Sequence, residues 1–253
     1  MVYNHYSSQV LQIVPRRTGV KMKKFFLNIF DKNADTAVKN QSLQEKIMLV
    51  LTFIVVPVAS ILITLVASDR PVSTSMSRIA WVDKKFVFVL LWGLLNMGNY
   101  IYSMVLTVKK GGYSKGWKKF FIVSASVAAA IMTIGLSIPA YYSETDVKLQ
   151  QMRTAHVIIS GAGFFYYVAE VFFVALTLLW RNKNQFFLSI GMACFIAIGG
   201  IFSLIYVNDP TGYCFCSTAT QLFLFGASNF FLAVQYFLMR YFPMESNEKT
   251  ERS

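Results

Sequence analysis

The chain has 253 residues, 55% of them hydrophobic, with a mean hydropathy of +0.50 and a net charge of +12. That apolarity excludes an ordinary soluble domain and fits a chain that crosses a bilayer several times. The positive charge would suit nucleic acid, but it is gathered beside apolar runs, where it serves a membrane, and nucleic-acid binding is excluded on that ground.

Residues 1–46 read as a basic arm on the cytoplasmic side. They lack an apolar h-region, so no cleavable signal peptide is expected. Within them, KMKKFFLNIFDKN at 21–33 places Met22, Phe25, Phe26, Ile29 and Phe30 at helical spacing among lysines. This is either a short amphipathic helix on the interface or an irregular arm with anchoring Phe. Ser42-Leu-Gln-Glu45 is a capping box at the mouth of the first span.

Six apolar runs follow, at about 47–67, 86–108, 120–142, 157–180, 186–207 and 219–238. Each reaches the roughly 20 residues that a helix needs to cross a hydrocarbon core of about 30 Å. The expected fold is an all-α polytopic bundle of six transmembrane helices over 47–241, with a cytoplasmic tail at 242–253. Pro57 falls inside the first run and predicts a local distortion of that helix. The connection at 68–85 is rich in hydroxyls and ends in Trp81, a residue suited to interfacial depth. The second run carries Asn96, Asn99 and Ser103 on one helical face. Small residues (Ser124, Ser126, Ala128, Ala129, Ala130, Gly135) fill the third.

Ser143-Glu-Thr-Asp146 can cap a helix that starts before the fourth run. That run holds Glu170, the one formally charged side chain inside any of the six. His156, Ser160, Gly163, Tyr167 and Glu170 fall on one face by offsets of three and four. The fourth span is therefore expected to organise the bundle, the others packing round its polar stripe. The fifth run repeats Ser189, Ala193 and Ala197 at intervals of four, a face suited to close contact or to homo-oligomers. After a turn at 208–212, the sixth carries Gln221, Ser228, Asn229 and Gln235.

Lys and Arg number 8 in 1–46, 5 in 109–119, 2 in 181–185 and 3 in 239–253; the alternate connections hold 4, 2 and 0. This asymmetry places both termini in the cytoplasm by the positive-inside rule. In KKGGYSKGWKK, Lys109, Lys110, Lys115, Lys118 and Lys119 have no acid among them. They orient the chain and attract anionic lipid or a protein partner at the cytoplasmic face.

Chemistry is sparse. There are two histidines, His5 and His156, too few for a zinc hydrolase, and no metal or cofactor is expected. Cys194 lies within a span, and Cys214 and Cys216 are too close together for an unstrained disulfide. Glu170 reads as a proton carrier, as an acid hydrogen-bonded to Asn96, Asn99, Asn229, Tyr166 or Tyr167, or as a contact for a polar lipid group. His156 reads as a structural residue, a phosphate contact or a sensor of acidity, and Ser160 lies one turn from it.

Six spans, the Pro71-Val-Ser73 segment of the first loop, and a fourth span opening with His156, then Ala162 and Phe164-Phe165, resemble the Frag/DRAM/Sfk family. Gln221 and Asn229 stand where that family often has Glu and Asn, so a charge is missing at the first of them. The resemblance covers about 42–241. It implies a protein that is non-enzymatic, or not proven enzymatic, and acts in lipid organisation, glycolipid-anchor remodelling, phosphoinositide signalling or autophagy, in plasma membrane, Golgi or lysosome.

The first reading is thus a lipid-binding or scaffolding protein whose partners are membrane lipids, with His156, Ser160, Tyr167, Glu170, Asn99 and Asn229 as one inward polar track. The alternatives are a proton-coupled transporter or channel using Glu170, and a membrane-embedded hydrolase or transferase using His156. A lateral opening between helices favours lipid, and a water-filled path to Glu170 favours transport.

Overall fold

A computed structural model describes residues 43–67, 76–140, 145–207 and 218–241. The stretch at 21–33, the segment 71–73, the turn at 208–212, Cys214, Cys216 and the Gln221 side chain lie outside the described residues. All regular structure in the described residues is helical. The elements are α1 (Leu43–Val50), a π-helical turn (Leu51–Val55), α2 (Val56–Ala67), α3 (Met76–Trp81), α4 (Phe86–Lys110) and α5 (Lys115–Ser137). They continue with α6 (Val147–Thr177), a 3-10 turn (Leu178–Trp180), α7 (Lys183–Val207) and α8 (Thr218–Tyr241). Among the described residues six stretches are long and apolar enough to cross a membrane, the first running from Leu43 to Val66. The protein is an integral, multi-pass membrane protein.

Local chemistry explains the element ends. Pro57 has no N–H, and its ring crowds the carbonyl four residues back. The chain meets this with the π turn, in which the Val56 N–H bonds the Leu51 carbonyl. Asp146 caps α6, its carboxylate accepting from the backbone N–H of Lys148 at 2.9 Å and of Leu149 at 3.2 Å. α6 therefore starts ten residues before its apolar run. Between α4 and α5 the chain turns through Gly112 at φ 71°, a left-handed conformation that glycine adopts without steric cost.

Neighbouring spans pack in a ring: α4 against α5, α5 against α6, α6 against α7, α7 against α8. α4 and α8 also pack together, and α1, the π turn and α2 lie against that pair. Burial corrects one expectation. In the spanning windows of α4 and α8, 56% of residues are buried, against 28% in α6, so the second and sixth spans are the centre. α4 brings Asn96, Asn99, Ser103 and Thr107 inward, and α8 brings Ser228, Asn229 and Gln235. Lipid offers none of these groups a hydrogen bond. α6 also buries His156, Glu170 and Thr177, but along its spanning window it presents Ile158 and Phe165 outward.

α5 and α6 approach closely through glycine. A Cβ on Gly135 would lie 3.0 Å from the Ser160 Cα, and one on Gly163 would lie 2.7 Å from the Met132 Sδ. Large apolar side chains such as Leu65, Leu91, Val123, Phe187 and Phe195 cover the outside, as a bilayer requires.

Candidate functional site

The six residues expected to form one polar track fall into separate clusters. The first ties spans one, two and six. The Asn99 amide donates to the Asn229 Oδ1 at 3.0 Å and to the Thr52 hydroxyl at 3.1 Å. Asn229 donates in turn to the Phe225 carbonyl at 3.0 Å, and Asn96 donates to the Trp92 carbonyl at 2.9 Å. Trp92 closes the layer, its indole N–H reaching the Ser60 hydroxyl at 2.9 Å. All five polar side chains are buried. Interhelical hydrogen bonds of this kind contribute about 0.6–2 kcal/mol each in a membrane. A double-mutant cycle with Asn99→Leu and Asn229→Leu should show a coupling of about 1 kcal/mol by equilibrium unfolding in mixed micelles.

Glu170 forms a second cluster, apart from those asparagines. Its Oε2 accepts from the Tyr100 hydroxyl at 3.1 Å, and its Oε1 has no partner. The rings of Tyr100 and Tyr167 stack at 4.0 Å between centroids, while the Tyr167 hydroxyl is buried without a partner. Tyr166 points elsewhere and shares a hydrogen bond with Ser124 at 3.1 Å. Tyr100, which holds the carboxylate, was not singled out in the sequence, since a tyrosine in an apolar run reads as packing.

His156 heads a third cluster. Its Nε2 lies 2.7 Å from the Ser77 hydroxyl of α3, and its Nδ1 lies 3.1 Å from the Ile138 carbonyl. Ser160, one turn on, does not join it. The Ser160 hydroxyl is buried against α5 without a partner. Ser77 was visible only as one hydroxyl among several in its loop. Among the described residues no three His, Cys, Asp or Glu side chains converge to hold a metal ion.

At the opposite end, charge is folded inward. Lys110 pairs with Glu45 at 3.6 Å and stands over the Tyr236 ring, whose hydroxyl bonds Glu45. Lys110 is thereby turned away from the surface, whereas Lys109, Lys115 and Lys119 are exposed and Lys118 is half-buried. Arg181 is buried, with Nη1 donating to the Gly111 carbonyl at 2.6 Å and Nη2 to the Met239 carbonyl at 3.5 Å. Burial pulls its pKa below the ordinary guanidinium value, against the opposing effect of Tyr113. Tyr113 shares a hydrogen bond with Thr177 at 2.7 Å. Its own pKa is pushed up to about 12 by burial, which outweighs the Thr177 bond and the Arg181 charge. The phenol therefore keeps its proton at neutral pH.

Beside the Lys115 end, a groove of about 360 Å³ opens between α5 and α6. Gly116, Lys119, Phe120, Val123, Ser124 and Val127 line it from α5, and Tyr166 lines it from α6. The α5 residues recur at offsets of three and four, one face of the helix. Phe120, Val123, Val127 and Tyr166 are exposed there, and the Ser124–Tyr166 hydrogen bond forms part of its inner wall. Lys119 is the one charged residue of its lining, and the apolar side chains of Phe120, Val123 and Val127 stand beside it. No family model, curated protein or solved structure matches the chain.

Proposed function

We propose that this protein binds an anionic membrane lipid in the groove between α5 and α6. The groove itself carries the reading, because one face of α5 joins the Lys119 ammonium to an apolar trough of Phe120, Val123 and Val127. Lys115 and Lys118 lie in the first turn of α5 and Lys119 follows directly, and Ser114 supplies no side-chain cap there. The N-terminal N–H groups and the lysines together attract a phosphate. Phe120, Val123 and Val127 then take an acyl chain. The volume lies within the roughly 300–1,000 Å³ usual for small-molecule clefts.

The positive-inside asymmetry sets this end of the groove in the cytoplasmic leaflet, with both termini on that side. The resemblance to the Frag/DRAM/Sfk group supports the same kind of function: lipid organisation or signalling, with a scaffold role for the basic face. Glu170, Tyr167, Asn99 and Asn229 then stand behind the groove as the bundle's internal polar framework.

Native mass spectrometry of the protein released from nanodiscs of mixed phosphatidylserine and phosphatidylcholine tests this. Wild type should retain phosphatidylserine preferentially. Val123→Trp, which fills the trough, should lose it, and Lys115→Gln/Lys119→Gln should lose the headgroup preference. Equal retention by all of these would defeat the proposal. Loss in Glu170→Gln with retention in Val123→Trp would move the lipid to the interior, onto the polar residues of α6.

A further inference from the structure

We infer that Ser77, His156 and the Ile138 carbonyl form a nucleophilic site for acyl transfer from a carboxylic ester. The inference goes beyond lipid binding and does not rest on it, since the groove lies at the other end of the bundle.

Hydrogen-bond polarity carries the argument. A carbonyl can only accept, so the His156 Nδ1 beside Ile138 bears the ring proton. In the neutral ring that leaves the Nε2 lone pair facing Ser77 at 2.7 Å, and the hydroxyl donates to it. This is the arrangement in which an imidazole acts as general base toward a serine. The backbone carbonyl takes the orienting place that a carboxylate often holds, fixing tautomer and ring direction without a charge. Ile138 is a positioning group. Ser77 and His156 are the reacting pair.

Three separate elements supply the parts: α3, the residue that follows α5, and α6. Ser77 and His156 are 79 positions apart, so their contact is not one of local helix geometry. Exposure is graded in the useful direction, with Ser77 half-buried and His156 only 6% exposed. The base is shielded while the nucleophile can be reached. Ile138 directly follows the last residue of α5, so the site lies where the third span leaves the bilayer. Ester linkages of membrane lipids lie at that depth, with water beside them. The substrate class is accordingly a lipid carboxylic ester.

The reaction balances with water as the only co-reactant. Ser77 Oγ adds to the ester carbonyl carbon as its proton passes to the His156 Nε2. The bond from that carbon to the alcohol oxygen then breaks, and the leaving alcohol takes the proton from the imidazolium. Water adds to the acyl-serine, giving a proton to Nε2. Collapse releases the carboxylic acid and returns the proton to Ser77 Oγ.

The full chain in nanodiscs is exposed to an alkyl fluorophosphonate, which loses fluoride to an activated serine, and the adduct is located by peptide mass. One label on Ser77 is expected, absent in Ser77→Ala and forming at least tenfold more slowly in His156→Gln. Ser77→Ala removes a single half-buried oxygen, so it decides the matter even where His156→Gln does not fold. Hydrolysis of a p-nitrophenyl ester should be lost in the same variant. An unlabelled wild type with an intact unfolding transition would overturn the inference. So would labelling that persists in Ser77→Ala.

Discussion

Gly135→Val should lower stability by about 3 kcal/mol, the upper end of what overpacking costs in a filled interface. A Cβ at Gly135 meets Ser160 Oγ at 2.5 Å, and also the Ser160 Cα at 3.0 Å and backbone N at 3.1 Å. Backbone atoms in the middle of a helix have no rotamer to change. Relief therefore requires α5 and α6 to separate. Separation opens the close contact on which membrane helices depend, since lipid tails give them no hydrophobic drive to associate. Gly163→Ala should cost less, about 1 kcal/mol, because its Cβ meets only side chains (Met132, which can swing aside, and Ile131 at 3.0 Å) and no backbone. Gly161 has nothing within 4 Å, so Gly161→Ala should be neutral, or stabilising by up to about 1 kcal/mol through helix propensity. Equilibrium unfolding in mixed micelles gives the order. If Gly135→Val were as stable as Gly161→Ala, the close packing of α5 on α6 would be wrong.

Arg181→Met should be the other large loss, about 2 kcal/mol. Arg181 bridges the Gly111 carbonyl, just past α4, and the Met239 carbonyl near the end of α8. Hydrogen bonds to a charged group are worth about 1.5–3 kcal/mol each. Two of them set a gross value near the top of that range or above it. The variant also removes the cost of burying a cation, which brings the net effect down. Arg181→Lys should recover little, because one ammonium lacks the planar fork that reaches two carbonyls on different helices. Amide hydrogen exchange should rise at the ends of α4 and α8 in both variants. Stability within about 0.5 kcal/mol of wild type for Arg181→Met would refute the clamp.

Glu170 and Arg181 show how far the chain could be read without its fold. Glu170 stood out because a lone carboxylate in an apolar run is conspicuous, and it is indeed buried. Its hydrogen-bond partner was not legible. Tyr100 lies 70 positions away and resembles any aromatic residue of an apolar helix. In the sequence Arg181 reads only as a topology signal, since nothing around it marks it as buried. His156, Ser160, Tyr167 and Glu170 share one face of α6, as helix offsets alone require. A shared face, however, spans more than 20 Å over fourteen residues at about 1.5 Å per residue. Its members meet different neighbours: His156 meets α3, Ser160 meets α5, and Glu170 meets α4.

By itself the sequence determined the all-α class, six membrane-crossing stretches, the Asp146 cap and the need for some distortion near Pro57. Each of these depends on residues within one window: apolarity over about 20 positions, or a side chain beside its own backbone. Tertiary structure alone decided that α4 and α8 form the centre, that Asn99 meets Asn229, that Ser77 meets His156, and that a groove opens beside Lys119. In water a helix turns its apolar face inward, and the pattern of one segment predicts its orientation. Within lipid that drive is gone, and rotation is set by which small and polar groups find partners on another helix. Those partners lie many tens of residues away, and only the assembled bundle brings them together.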